Sequence, residues 1–454
     1  MSSLAEISTD ATPPEAQAWK PLVEAQTSAS AMDVARAVAA RLRDRERLLQ
    51  TNQRALEQSR YPDTLNWNPC ALAHGDAGLA LACAYFERCW PDEGWAETSA
   101  MYLSHAARAA RSTPPAPGLF AGLAGVAFAA RWQREGDPLS RELLPLIDAA
   151  LATRALDMAG RLHGRHGVAV SEIDAISGLS GLGAYLLAAG APPPADVALH
   201  ALLETLVALS GATNGVPHWF NPHHLMGDTP MAQVSPEGNM NCGLAHGIPG
   251  PLALMALSLR EGMAVDGLAE AVERTAAWLV RHQAGDAYGV NWPTVVPWSA
   301  DGRVVEGLVG SRAAWCYGAP GVARSLWLAG QALDDAALGD LAIEAMAAVY
   351  RRPIPLRQID SPTFCHGVAG LLQITLRFAH DTDAPMFRAA ADALCRQLLD
   401  AFDAEQPLGY CSVEPEGNKV DQCGVLDGAA GVAMVLLAAS TGEAPDWDRV
   451  FLLS

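Results

Sequence analysis

The sequence has 454 residues and a formal net charge of −19, from 31 Lys and Arg against 50 Asp and Glu. This acidic balance excludes a nucleic-acid-binding surface of the usual basic kind, and no uninterrupted apolar run reaches the ~20 residues that a membrane-spanning helix needs. Nine cysteines, an odd number in a long chain, do not indicate a disulfide framework. We therefore expect a cytoplasmic protein in which some cysteines are ligands and the rest are buried thiols.

The first 32 residues are acidic, contain prolines and offer no candidate core. They resemble neither a signal peptide nor a transit peptide. We expect residues 1–32 to form a flexible extension and residues 33–454 to form one domain, because a single repeat runs through almost all of the remaining sequence.

The repeat is a pair of glycines separated by two residues, and it occurs seven times. The pairs are Gly75/Gly78, Gly122/Gly125, Gly178/Gly181, Gly247/Gly250, Gly318/Gly321, Gly367/Gly370 and Gly428/Gly431. Each pair opens a stretch of helical length that is apolar nearly all round, which is typical of a helix buried on most faces. The stretches between them carry charge on one face and predict amphipathic outer helices, for example from Asp33, Asp196, Gly267 and Ala384.

This alternation predicts an all-α fold of fourteen helices, seven outer and seven inner. A closed α/α toroid buries the apolar inner set without an open end, whereas an open stack of repeats would need polar capping repeats. A glycine inside a helix costs ~1 kcal/mol relative to alanine. Seven such pairs therefore predict a close backbone approach at the start of each inner helix.

The candidate metal-binding and catalytic residues stand one or two places before the first glycine of three of the pairs. Cys316 lies two residues before Gly318, Cys365 and His366 directly precede Gly367, and His246 precedes Gly247. If the inner helices begin at the same end of the ring, these side chains converge on one mouth. Two thiolates and one imidazole, from Cys316, Cys365 and His366, match a catalytic zinc that keeps its fourth position open. The alternative, ordinary buried cysteines, does not explain their equivalent positions.

At these residues the sequence resembles the lanthionine synthetase C-like cyclases. The resemblance rests on the phrases LAHG, WCYG, CHG, DAISGLSGLG and GVLDGAAGVA, and covers roughly residues 33 to 441. It implies a stand-alone class I lanthipeptide cyclase, since no kinase-like or dehydratase-like region precedes the repeats. It also implies that Cys316, Cys365 and His366 bind one zinc ion, and that Asp174, His246 and Arg312 occupy the remaining active-site positions.

The implied reaction adds a cysteine thiol of a dehydrated precursor peptide to dehydroalanine or dehydrobutyrine, which forms a (methyl)lanthionine ring. A dehydratase and a transporter are possible further partners. His246 is the candidate acid that protonates the α-carbon, because imidazole titrates near neutral pH. Asp174 could orient His246 or deprotonate the thiol. Arg312 could hold Asp174 ionised, stabilise the enolate oxygen or form a salt bridge that fixes loops.

Two alternatives stay open from the sequence. The first is a zinc-dependent thiol alkyltransferase of the prenyltransferase kind, which the scarcity of Lys and Arg near the seven phrases disfavours. The second is a non-catalytic or glutathione-handling relative. Outside the proposed site, His74 and Asp427 are assigned to capping or core roles, and the long loops from Gly211 and Gly285 are expected to roof the cavity.

Overall fold

The computed structural model describes residues 18–454, except residues 66, 113–114, 191–193, 300–303 and 306. Two concentric sets of helices form the described part of the chain. The outer helices are α1 (Ala25–Arg41), α4 (Trp95–Ser112), α6 (Pro138–Leu162), α9 (Ala195–Leu209), α12 (Leu268–Arg281), α14 (Ala336–Arg351) and α16 (Pro385–Ala401). The inner helices are α3 (Asp76–Cys89), α5 (Leu123–Arg131), α8 (Leu179–Ala188), α11 (Pro249–Arg260), α13 (Ala319–Leu333), α15 (Val368–Thr382) and α17 (Ala429–Ser440).

The burial of the two sets follows their sequence patterns. Every residue of α17 is buried, because this helix is apolar on all sides. In α12 the buried residues, among them Val272, Ala276 and Leu279, share one face, while Glu270 and Glu273 of the opposite face are exposed. The predicted alternation of seven outer and seven inner helices is confirmed.

The inner helices form a closed ring. Each packs against the next one along the chain, and α17 packs against α3. Backbone hydrogen bonds of 2.9–3.4 Å also join the loops that precede the inner helices. In each bond the backbone N–H of one residue donates to the backbone carbonyl of another. The donor and acceptor residues are Ala73 and Phe120, Phe120 and Ile176, Ala175 and Ala245, Ala245 and Cys316, Cys316 and Cys365, Cys365 and Leu426, and Leu426 and Ala73. Apart from Ala175, each partner stands two residues before the first glycine of its repeat.

The second glycine of every pair lies against the loop of its own repeat. A Cβ atom at this position would lie only 2.0–2.9 Å from the backbone oxygen of the residue three places before the first glycine. At Gly370, for example, that oxygen belongs to Phe364 and the distance would be 2.0 Å. The close approach predicted for the glycine pairs is confirmed, but the nearest backbone is that of the same repeat.

The toroid begins earlier in the chain than the sequence indicated. Helix α1 starts at Ala25 rather than near Asp33, and Trp19 and Leu22 before it are buried. The Trp19 indole donates a 2.8 Å hydrogen bond to the carbonyl of Ala438 in α17. Residues 19–32, which the sequence assigned to the extension, therefore pack on the last repeat through single apolar side chains. Residues 1–17 lie outside the described part of the chain.

Shorter elements lie in the connections. These are helices α2 (Arg45–Gln58), α7 (Val170–Ile173) and α10 (Pro230–Val234), and 3₁₀ turns at Pro62–Leu65, His223–Leu225, Ile354–Arg357 and Pro415–Gly417. Antiparallel pairs join β1 (Ala212–Thr213) to β2 (Val216–Pro217), β3 (Asn239–Asn241) to β4 (Val295–Pro297), and β5 (Ser412–Val413) to β6 (Lys419–Val420). The pairing of β3 with β4 ties together the two long loops from Gly211 and Gly285.

The C-terminal segment, residues 446–454, fills the inside of the ring and is called the plug below. It contains a 3₁₀ turn over Asp446–Phe451, and Trp447, Phe451 and Leu453 are fully buried. Phe451 stacks on Phe364 with ring centroids 3.8 Å apart, and its carbonyl accepts a 3.0 Å hydrogen bond from the Trp315 indole. The plug therefore supports the loops that carry Cys316 and Cys365. Within the described part of the chain, no helix combines the length and the apolar character needed to cross a membrane.

Candidate metal centre and active site

The residues just before the first glycines converge at one mouth of the toroid. The backbone ring holds all seven loops at the same level, so the next residue of each loop faces its counterparts in the adjacent repeats. The residue at this position is His246 in the fourth repeat, Tyr317 in the fifth, His366 in the sixth, Asp427 in the seventh and His74 in the first. Because α17 closes onto α3, His74 lies next to the seventh repeat and not across the ring.

Cys316 and Cys365 form the sulfur part of the candidate metal centre. Interaction with the Cys316 thiol, together with burial, raises the pKa of Cys365 well above its ordinary value. The backbone N–H of Cys316 also donates to the carbonyl of Cys365 at 3.2 Å. The backbone ring thus places the two predicted sulfur ligands side by side.

His366 completes the predicted ligand set and brings a fourth residue with it. Within the described part of the chain, one group of Cys, His and carboxylate ligand atoms lies mutually within 4.8 Å, formed by Cys365, His366 and Asp427. Cys316 lies next to this group, because its backbone N–H donates to the carbonyl of Cys365. Two adjacent thiols and an imidazole are the donor set that zinc prefers, so the residues present fit a zinc ion.

Gly318 determines the backbone conformation of the loop that carries Cys316. Gly318 has φ +93°, a conformation that strongly favours glycine. A Cβ atom there would lie 1.7 Å from the backbone oxygen of Arg312. The tight loop from Arg312 to Gly318 therefore fixes the backbone on which Cys316 and Tyr317 stand.

Asp174 and His246 form the second part of the site. The His246 Nδ1 atom lies 2.8 Å from Asp174 Oδ2, while Asp174 Oδ1 accepts hydrogen bonds from the backbone N–H groups of Ser177 and Gly178 at 2.7 and 2.8 Å. The Asp174 side chain is only 2% exposed, whereas His246 is 39% exposed. A fixed, buried carboxylate therefore holds an imidazole whose other edge reaches the mouth.

Tyr317 links the two parts, and Arg312 stands four residues before Cys316. Tyr317 lies beside His246, with ring centroids 6.4 Å apart, and its hydroxyl accepts a 3.2 Å hydrogen bond from Asn241 of β3. Burial, opposed by that bond, raises the pKa of Tyr317 to about 12, with smaller contributions from Cys316, Cys365 and Asp174. The positive charge of Arg312 opposes the rise in the pKa of Cys365. Five of the six predicted site residues therefore lie at one mouth, and Arg312 opens the loop that leads to it.

Sequence reasoning missed the position of Asp427. It was assigned to cap α17, but the N-cap residue is Gly428 and no side chain caps this helix. The Asp427 carboxylate faces His366 instead, with Oδ1 3.5 Å from Nδ1. The available signal was its place directly before a first glycine, which it shares with His246 and His366.

The histidines of the long loop from Gly211 do not form a second cluster of metal-ligand atoms within the described residues. His218 stacks on His166 with ring centroids 4.0 Å apart. The same loop does contribute to the mouth, because it supplies Asn241, whose side chain holds both the Tyr317 hydroxyl and the backbone N–H of Gly243.

Comparison with known proteins gives a family and a fold. Residues 66–452 match the family model described as lanthionine synthetase C-like protein. The chain is 23% identical over 297 residues to the nisin biosynthesis protein NisC of Lactococcus lactis subsp. lactis, covering 64% of this chain and 70% of that protein. A solved structure named nisin cyclase aligns with a TM-score of 0.72 and 20% identity, covering 89% of this chain and 97% of that one.

Proposed function

The chain belongs to the lanthionine synthetase C-like family, and we propose that it is a zinc-dependent cyclase that forms (methyl)lanthionine rings in a dehydrated precursor peptide. The observation that carries the proposal is the position of a carboxylate-bound imidazole, His246, at the same mouth as a pair of adjacent thiols and His366. Conjugate addition of a thiol needs both a means to form the thiolate and an acid for the carbon that receives the proton.

Cys316, Cys365 and His366 would hold the zinc ion. When bound, zinc supplies a Lewis acid that favours the thiolate form of a substrate cysteine. This chemistry is needed because a free thiol, with a pKa of ~8.5, is mostly protonated at neutral pH. A metal ion would bind both cysteines as thiolates, so metal binding would release their protons.

His246 is the proposed acid. The substrate sulfur bonds to the β-carbon of the dehydro residue, the thiol proton is lost, and the α-carbon gains one proton, so the peptide mass is unchanged. Asp174 accepts the hydrogen bond from His246 Nδ1, which leaves Nε2 as the nitrogen that can exchange a proton with the substrate. Asp174 thus acts as the residue that orients His246.

Arg312 and Tyr317 are proposed to stabilise the enolate oxygen that forms during the addition. Arg312 supplies positive charge close to Cys365. Tyr317 stays protonated at neutral pH because its pKa is raised to about 12, so its hydroxyl is able to donate a hydrogen bond. The proposed partner is therefore a dehydrated peptide that enters the mouth, and a dehydratase and a transporter are proposed as further partners in a cytoplasmic pathway.

The test uses a dehydrated peptide that contains one cysteine and one dehydroalanine. We expect loss of the free thiol, detected with a thiol-alkylating reagent, at constant peptide mass, together with about one zinc per chain. In a parallel reaction with added prenyl diphosphate, an increase in peptide mass would indicate the alkyltransferase alternative instead. Reaction with added glutathione but not with the internal cysteine would indicate the glutathione-handling alternative, and either result would overturn the proposal.

A further inference from the structure

Asp427 lies beside the proposed zinc ligand His366 and has no assigned role. From the contacts around this carboxylate we infer that Asp427 is a positioning residue of the metal centre, which accepts a hydrogen bond from His366 and fixes the orientation of its ring. The inference rests on the proposed zinc site and adds a residue to it.

The first observation is an unsatisfied acceptor. Asp427 Oδ1 is buried and has no hydrogen-bond partner among the described residues, yet it lies only 3.5 Å from His366 Nδ1. An N–H···O hydrogen bond spans about 2.7–3.2 Å, so a shift of a few tenths of an ångström would form it. A buried carboxylate oxygen without a partner is costly, and His366 Nδ1 is a donor within reach of it.

The second observation is a further imidazole in the loop on the other side of Asp427. His74 stands directly before the first glycine of the first repeat, the position that Asp427 has in the seventh, and the N–H of Leu426 donates to the carbonyl of Ala73 at 3.2 Å. The His74 Nδ1 atom is also buried without a hydrogen-bond partner among the described residues. The loop of Asp427 therefore has an imidazole in each neighbouring repeat, one from the ligand set and one from the first repeat.

The third observation is the charge and number of the donors. Two thiolates already neutralise a zinc ion, and Cys316, Cys365 and His366 leave one of four positions free. A direct Asp427 ligand would close that position, whereas a catalytic zinc keeps it open for water or substrate. A carboxylate that instead accepts a hydrogen bond from a ligating histidine fixes the ring and strengthens its binding.

The experiment compares the parent protein with Asp427→Asn and Asp427→Ala. The zinc dissociation constant is measured by competition with a chromophoric chelator, and the Co(II)-substituted proteins are compared by visible absorption. We expect zinc to bind about 10- to 100-fold more weakly in the variants, with the Ala variant the weaker of the two. The Co(II) spectra should keep the same number of thiolate and nitrogen ligands, because Asp427 is not itself a ligand.

Asp421→Asn is the matched control, since Asp421 is another partly buried carboxylate of the same connection but faces Cys411. It should keep the parent's zinc affinity. Parent-like affinity in both Asp427 variants would overturn the inference, and so would a change of coordination number in the Co(II) spectra. A parent protein that binds no zinc would instead overturn the proposed metal site itself, so the two failures are distinguishable.

Discussion

At the scale of single residues, the proposed chemistry depends on how His246 is held. Asp174 fixes one ring nitrogen at 2.8 Å and is itself fixed by two backbone N–H groups. The carboxylate cannot turn away without losing these bonds, so the imidazole keeps one tautomer and one direction. The more exposed side of the ring is then free to meet the substrate at the mouth.

Replacement of His246 by Asn should slow ring formation about 10²- to 10⁴-fold, the usual contribution of a positioned general acid. Zinc content should not change, because His246 is not a proposed ligand. The rate is measured as loss of free thiol in the dehydrated peptide, and zinc by elemental analysis. His282→Asn, which alters a histidine bonded to the carbonyl of Trp278, serves as control. An unchanged rate in His246→Asn would exclude the acid role.

At the scale of elements, the metal site depends on the C-terminal plug. Phe451 contacts Trp315 and Phe364 with ring centroids 5.2 and 3.8 Å apart, and these two residues directly precede Cys316 and Cys365. The ligand loops therefore rest on a side chain that is distant in sequence. Their spacing is set by packing as well as by the backbone ring.

Truncation of Phe451 to Ala should cost about 3–5 kcal/mol of unfolding free energy and also weaken zinc binding, because the ligand loops lose their support. Phe387→Ala is the matched control, since Phe387 is equally buried but stacks on Phe378, away from the ligand loops. Denaturant unfolding of the apo proteins and a chelator competition assay separate the two effects. Equal zinc affinity in both variants would show that the plug stabilises the fold without positioning the ligands.

A buried ion pair in the inner ring predicts a pH-dependent stability. Arg324 of α13 is 2% exposed and lies 2.6 Å from Asp381 of α15. Burial pushes the pKa of Asp381 upward, but Arg324 and a hydrogen bond from His380 outweigh it and hold the pKa well below its ordinary value. A carboxyl whose pKa is lowered by folding stabilises the fold above the unfolded pKa of about 4, and this stabilisation is lost as the pH falls.

Asp381→Asn should therefore lower the unfolding free energy by about 3–5 kcal/mol at pH 7, since it leaves the Arg324 charge buried and unpaired. The difference from the parent should shrink as the pH falls below about 4. Urea unfolding between pH 3 and pH 7 measures it. Asp383→Asn, which removes an exposed partner of Arg388, should have little effect, and a difference for Asp381→Asn that does not depend on pH would contradict the assignment.

The sequence predicted those elements whose signal repeats. The glycine pairs and apolar stretches indicated every inner helix, and the residues before the glycines indicated Cys316, Cys365, His366 and His246. Features that depend on contacts distant in sequence were missed. Trp19 packs against α17, and Phe451 supports the ligand loops. Asp427 of the seventh repeat lies beside His366 of the sixth. Trp19 and Phe451 are single residues without a periodic pattern, so only the closed fold reveals their partners. Asp427 stands at the repeated position before a first glycine, but its contact with His366 depends on how adjacent repeats pack.

At the scale of the whole molecule, the ring is closed by contacts between the first and last repeats. Leu426 donates a hydrogen bond to Ala73, α17 packs against α3, and the segment before α1 binds to α17 through Trp19 and Leu22. In an open array, the terminal repeats have one neighbour each and open at lower free energy than the central ones. In this ring, every repeat has two neighbours.

The ring closure predicts that native-state hydrogen exchange protects the amides of α3 and α17 as strongly as those of α8 and α11. The exposed hairpin of β1 and β2 should exchange fast and serves as the internal reference.

The variant Trp19→Ala loses the indole bond to Ala438 and the stacking on His380. Protection should fall first in α1 and α17, because the seam between the first and last repeats opens before the rest of the ring. Fast exchange of α3 and α17 already in the parent would mean that the seam opens readily in solution, and the protein would then behave as an open array. Uniform loss of protection in the variant would mean instead that the ring unfolds as one cooperative unit, with Trp19 contributing to its global stability.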